Sequence, residues 1–210
     1  MIHFLLTSIA GIYEAYSILW NLILALIPCW LAYALAKGVG KKKWSSLGFA
    51  NQLAFIMVIL LWLVFLPNTA YLFASVRYLL DYCQPYNHFR VCLHGQNLWM
   101  VLFFFLYSVV GLPLFVYALA KVTALVGRLF GKTVQQIFPI VIIPLTAMGV
   151  LFGLVERWNS WDLLHHPTTI VITGFLYLLD PERLANFIPF TLMLYILYYG
   201  ADYLWRKKHP

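Results

Sequence analysis

Five stretches of this chain are long and apolar enough to cross a lipid bilayer, and that feature decides what the rest can be. A transmembrane helix needs about 20 mostly apolar residues to cover a hydrocarbon layer roughly 30 Å thick. Residues 17–36, 48–66, 97–120, 134–155 and 187–205 each supply such a stretch. Polar interruptions are few: Asn21 and Pro28 in the first, Asn51 and Gln52 near the start of the second, Pro113 in the third, Pro139 and Pro144 in the fourth. Lipid offers no hydrogen bonds, so each span must satisfy its own backbone and is helical. Internal prolines are tolerated because a neighbouring helix can bond the carbonyl each one frees, and they kink the helix that carries them. The expected fold is an all-α polytopic transmembrane helix bundle, one membrane domain over residues 1–210.

Composition closes the alternatives. Hydrophobic residues make up 63% of the chain and charged residues 10%, against about 25% charged in soluble domains. Mean hydropathy is +0.84. Such a chain cannot cover a water-facing surface. A soluble domain, a disordered chain, a secreted disulfide scaffold and a nucleic-acid-binding domain are all excluded as readings of the whole.

The net charge of +7 carries topology instead of a polynucleotide partner. Lys37, Lys41, Lys42 and Lys43 form one basic cluster, Lys121, Arg128 and Lys132 a second, Arg206, Lys207 and Lys208 a third. Each follows an apolar stretch, the pattern of cytoplasmic segments, where Lys and Arg resist translocation. Such clusters also suit anionic lipid. With the first cluster in the cytoplasm, residues 67–96 and 156–167 fall outside, and the second cluster returns to the cytoplasm. The third cluster joins them only if residues 168–179 do not cross. That stretch is too short for a comfortable span and lies between Pro167 and Asp180-Pro181, so a re-entrant or interfacial helix is expected. Residues 4–13 are short and are stopped by Glu14; they read as an interfacial helix or the stub of a further span. No cleavable signal peptide, glycosylation acceptor or internal repeat is expected.

The outward side collects the unusual residues. Leu66-Pro67-Asn68-Thr69-Ala70-Tyr71 ends the second span, and Glu156-Arg157-Trp158-Asn159-Ser160-Trp161-Asp162 follows the fourth. Structural roles account for many of them. Asn68 suits a left-handed helix end. Trp158, Trp161 and Tyr71 suit an interfacial aromatic belt. Asn159 suits an N-cap with Asp162 at its third position, and Trp158 and Leu163 suit a hydrophobic staple. The functional reading has these groups converge. Arg157 can hold a phosphate or carboxylate through two hydrogen bonds. Asp162 and His166 are four apart and would share a helix face, as base and orienter or as two metal ligands. One packed polar cluster of Asn68, Tyr71, Arg157, Asn159 and Asp162 is therefore expected, with Arg157 paired to Asp162 or Glu156 and His166 nearby.

Other signals are thin. No zinc spacing, nucleophile elbow or Walker motif occurs, and no metal or cofactor is expected. Cys83 and Cys92 lie in one outward segment and are candidates for a disulfide in an oxidising exterior. Cys29 reads as a packing thiol. The interior polar groups are amides and hydroxyls: Asn21, Asn51, Gln52, Thr146 and Thr191. They read as bonds between helices, not as an ion path. Gly149 and Gly153 form a G-x-x-x-G pair that allows close helix approach.

Asn21-Leu22 with Pro28, Leu66-Pro67-Asn68 with Tyr71, and Arg157-Trp158-Asn159-Ser160-Trp161-Asp162 together resemble the bacterial membrane family called domain of unknown function 1361. The resemblance covers residues 17–167. It implies a multi-pass protein of a bacterial cell membrane and no established biochemistry. An acid is common in that pattern where this chain has Ser75, and an Arg where it has Leu154, which counts against a strongly charged site. Three classes of function follow. The first is a non-enzymatic scaffold, assembly or sensing protein with a polar cluster at the outer interface. The second is a small-solute transporter or channel. The third is a membrane enzyme or lipid-headgroup-binding protein using Arg157, Asp162 and His166. Membrane lipids are the expected partners, with a helix–helix partner or a second copy alongside and no nucleic acid.

Overall fold

Pro67 interrupts an apolar helix without ending it. In the computed structural model, which describes residues 2–40, 42–74, 84–86, 89–91 and 95–208, α2 (Phe49–Phe65) is followed after one residue by α3 (Pro67–Ala74). Proline has no N–H, so the preceding turn loses bonds. Side chains add bonds beside the break: the Asn68 amide donates to the Phe65 carbonyl at 3.0 Å, and the Thr69 hydroxyl donates to the Leu66 carbonyl at 2.7 Å. The segment thus runs helically to Ala74, past the expected end at Leu66. Asn68 bonds a carbonyl, but from inside a helix and not from a left-handed cap.

The other elements are α1 (Ile2–Val39), β1 (Gln84–Tyr86), β2 (Phe89–Val91), α4 (Gly95–Phe130), α5 (Lys132–Leu151), α6 (Asp162–His165), α7 (Pro167–Leu179) and α8 (Pro181–Lys208). A π-helical turn, Phe152–Glu156, extends α5. Five segments are long and apolar enough to span a bilayer: Leu19–Val39, Phe49–Ala74, Phe105–Phe130, Lys132–Glu156 and Pro181–Leu204. The chain is thus an all-helical bundle, apart from the three-residue antiparallel ladder of β1 and β2, in which Gln84 faces Val91. Cys83 and Cys92 lie outside the described residues.

Two boundaries move from the sequence reading. Residues 4–13 are not a separate element: α1 runs unbroken from Ile2, because no proline or glycine pair separates them from the first span. Lys121 and Arg128 sit on α4, not in a loop, because nothing breaks that helix before Gly131. Gly131 has φ 101°, a conformation that suits glycine, and it alone joins α4 to α5.

The described residues of the three basic clusters share one end of the bundle. Trp44, in the α1–α2 connection, packs on Phe130 at the end of α4, ring centroids 5.0 Å apart. Helix α8 runs antiparallel to α5: Arg183 meets Glu156 at 3.3 Å, and fifty-five residues apart in sequence the Tyr195 hydroxyl donates to the Ile140 carbonyl at 2.6 Å. Residues 206–208 therefore end beside the start of α5. The Tyr195 bond also answers a proline. Pro144 cannot bond the carbonyl four residues back, which is Ile140, and a neighbouring helix supplies the donor as lipid burial requires. Thr146 and Thr191 behave otherwise than expected: each hydroxyl bonds the carbonyl four residues back in its own helix, Ile142 and Phe187.

Helix α7 does not span. Thirteen residues reach about 20 Å at 1.5 Å per residue, short of a hydrocarbon layer. Both its ends lie at the end opposite the basic clusters. It begins at Pro167, at the first helical position. It ends at Asp180, whose carboxylate caps the Glu182 N–H at 3.0 Å and starts α8 at Pro181. Its Tyr177 packs edge-on against Phe152, ring centroids 5.4 Å apart.

The core is apolar, with Trp62, Phe115, Leu119, Ile143 and Leu194 fully buried. The perimeter is apolar too: Trp30, Met57, Ile140, Leu192 and Ile196 are exposed. An apolar surface of this kind suits lipid as solvent.

Candidate functional site

The two motifs of the sequence meet through small residues. A Cβ added at Gly149 would stand 2.5 Å from Pro67 Cγ, and one at Gly153 would stand 3.7 Å from the Tyr71 ring. Pro67 and Tyr71 are one turn apart on α3, as Gly149 and Gly153 are on the α5 side. The G-x-x-x-G pair is thus the groove into which α3 fits. The contact brings the Asn68 side chain to Ser160, where its amide donates to the hydroxyl oxygen at 2.9 Å.

The π-helical turn widens the end of α5 and hands the chain to Arg157, whose φ of 57° and ψ of 30° are left-handed. Among the described residues it is the single non-glycine with positive φ. The conformation closes the helix, with the Trp158 N–H donating to the Phe152 carbonyl at 3.2 Å. A left-handed residue other than glycine costs roughly 1–2 kcal/mol, and such strain gathers at functional positions. The Arg157 side chain is exposed, with no hydrogen-bond or ion-pair partner among the described residues.

The expected ion pairs of Arg157 are not made. Glu156 pairs with Arg183 instead, at 3.3 Å. The left-handed turn at 157 separates the directions of the two neighbouring side chains. Arg183 also binds Asp180 at 3.1 Å and lies over the Tyr177 ring, 4.7 Å from its centroid. Burial raises the Tyr177 phenol above its ordinary value; Glu156 adds to the rise, Arg183 opposes it and Asp180 adds again. Sequence reasoning missed this clasp. Its signal was an Arg three residues after Asp180, on the side otherwise poor in basic residues.

Asp162 is occupied locally. Its carboxylate accepts the Asn159 N–H at 2.7 Å, the reach-back half of a capping box. Yet α6 starts at Asp162 itself and its N-cap is Trp161, not Asn159. Trp158 packs on Phe152 at 5.5 Å in a cluster with Tyr177. His166 is not helical, with φ −133° and ψ 51°. Pro167 disfavours the helical region for the residue before it. The pairing of Asp162 with His166 across one helix turn therefore does not form. Among the described residues no three His, Cys, Asp or Glu side chains converge.

What does converge is a cleft. It has a volume of about 770 Å³ and lies at the end opposite the basic clusters. Asn68, Tyr71, Arg157 and Asn159 line it; Asp162 and His166 do not. Tyr16, Trp20 and Asn21 of α1 complete the wall, residues whose place sequence patterning gave no means to find. Trp20 meets Trp161 edge-on at 6.3 Å and stacks with Tyr16 at 6.3 Å. Further into the bundle the lining is apolar, with Leu24, Leu63, Val64, Leu145 and Met148. Arg157 is the single charged residue of the lining among the described residues.

The motifs that meet here fall within a family profile that matches residues 20–197. The chain belongs to the family described as protein of unknown function (DUF1361). No match was found among curated proteins or solved structures. The DUF1361 match runs thirty residues beyond the expected limit at 167, so it takes in α7 and most of α8. Leu154 lines the cleft as an apolar residue.

Proposed function

We propose that this DUF1361 member is a non-enzymatic membrane protein that binds an anionic amphiphile in the cleft, as a sensing or assembly component. One observation carries the reading: among the described residues, Arg157 is the only charged residue of a cleft whose deeper lining is apolar. An unpaired guanidinium offers five donors to a phosphate or carboxylate. Among the described residues no carboxylate lines the cleft to meet a cationic ligand. The volume lies within the range of small-molecule sites, roughly 300–1,000 Å³. Apolar depth beneath a single cation matches a lipid better than a free ion. Occupied carboxylates and the unformed Asp162–His166 pair speak against acid–base catalysis. The same reading sets the protein in a bacterial plasma membrane with the basic end in the cytoplasm, after the positive-inside bias.

The test is native mass spectrometry of protein purified from its membrane. Retained phosphatidylglycerol that is lowered by Arg157→Gly and not displaced by inorganic phosphate supports a lipid ligand in the cleft. Displacement by inorganic phosphate alone would make the ligand a free anion. A protein that retains neutral lipid equally well would end the proposal.

A further inference from the structure

A second, smaller cavity lies at the basic end, between α1 and α2, with a volume of about 230 Å³. It shares no lining residue with the cleft. Its α2 wall is Asn51, Ala54, Phe55 and Val58, one face of that helix at spacings of three and four. Its α1 wall includes Ala34 and Gly38. These small residues make the groove: Ala34 and Ala54 carry one carbon each, and a Cβ added at Gly38 would meet nothing within 4 Å. Leu35, Val39 and Phe55 are buried beneath, so the surface is apolar along its length.

The mouth of the groove is polar and positive. Lys42 lines it, and Lys37 and Lys43 are exposed beside it in sequence. The side-chain amide of Asn51 has no partner among the described residues. No Asp or Glu occurs between Glu14 and Asp81, so neither helix supplies a carboxylate to neutralise the lysines. An apolar channel in a membrane-facing wall, opening under uncompensated cations, matches one ligand: a lipid chain with an anionic head.

We propose that the α1–α2 groove holds one anionic phospholipid of the leaflet at the basic end, its phosphate on Lys42 and Asn51 and an acyl chain along Ala54 and Val58. The headgroup is selected by charge, and the groove fixes the lipid's position, which distinguishes this site from a diffuse basic surface. Each lysine near an anionic membrane surface contributes about five-fold in affinity.

The experiment uses the full-length protein in mixed phosphatidylglycerol and phosphatidylcholine nanodiscs, then released for native mass spectrometry, with thermal melting to confirm folding. The wild type should retain phosphatidylglycerol in preference to phosphatidylcholine. In an Arg157→Gly background, where the cleft no longer contributes bound lipid, Lys42→Glu should lower that retention at least five-fold, and Lys42→Arg should restore it. Ala54→Trp, at an exposed position that fills the groove, should lower it similarly with Lys42 intact. Arg157→Gly should leave this bound lipid in place, which separates the site from the cleft. Retention unchanged by Lys42→Glu would overturn the proposal. Loss with Lys42→Glu but not with Ala54→Trp would also overturn it, leaving only surface charge. Retention indifferent to headgroup would do the same.

Discussion

Asn68 donates its side-chain amide to the Ser160 hydroxyl at 2.9 Å, joining two motifs ninety-two residues apart. The same amide bonds the Phe65 carbonyl beside Pro67. One side chain thus bonds a carbonyl beside the proline break and ties α3 to the loop that presents Arg157. Removing Asn68 leaves both partners short of a donor, whereas removing Ser160 loses one acceptor. Asn68→Ala should cost about 1–3 kcal/mol and Ser160→Ala about 1 kcal/mol. A double-mutant cycle on thermal stability in detergent should show a coupling near 1 kcal/mol. Strict additivity would mean that the two motifs are independent.

Glycine should matter where helices touch and not elsewhere. At Gly149 an added methyl would stand 2.5 Å from Pro67, while at Gly200 it would meet nothing within 4 Å. Gly149→Ala should destabilise by roughly 1–3 kcal/mol. Gly200→Ala should stabilise by about 0.5–1 kcal/mol through helix propensity. Thermal midpoints that move in the same direction for both would contradict this packing.

The Tyr195 hydroxyl occupies the Ile140 carbonyl because Pro144 cannot. Tyr195→Phe should therefore cost about 1 kcal/mol in the natural background. In a Pro144→Ala background the helix supplies its own N–H, and the same change should become nearly neutral. An equal cost in both backgrounds would show that the proline is irrelevant to the bond.

Much of this was legible in the sequence, and the limits have physical causes. Apolar length gave the five spans, and the basic clusters placed residues 168–179 as a short helix at the far end. Hydropathy cannot see that Pro67 interrupts a helix without ending it, because the outcome depends on the bonds that Asn68 and Thr69 make beside the break. It cannot choose partners among charges either. Glu156 went to Arg183 because a π-helical turn and a left-handed residue reoriented the chain, and neither is encoded in residue type alone. The convergence of Asn68 with Arg157 was legible since both motifs end spans of the same direction. The contribution of Tyr16 and Trp20 was not, for it depends on which helix lies next to which.

Cys83 and Cys92 lie outside the described residues, but they flank the ladder in sequence: Gln84 and Val91 are register partners. We propose a disulfide between these two cysteines. The loop between them is short enough to close, and both lie on the side read as oxidising. Thiol labelling of intact cells should rise after reductant. Equal labelling with and without reductant would remove the bond.

The central claim is that Arg157 is held in a strained backbone for the sake of its charge. Glycine at 157 relieves the strain and removes the guanidinium in one change. The decisive measurement is binding of short-chain phosphatidylglycerol to Arg157→Gly in detergent, in a Lys42→Glu background that removes the groove site, read beside its thermal midpoint. Loss of a charged hydrogen-bonding group should weaken binding at least ten-fold, while the midpoint stays level or rises. Wild-type affinity in Arg157→Gly would contradict the account and leave Arg157 as a helix terminator alone.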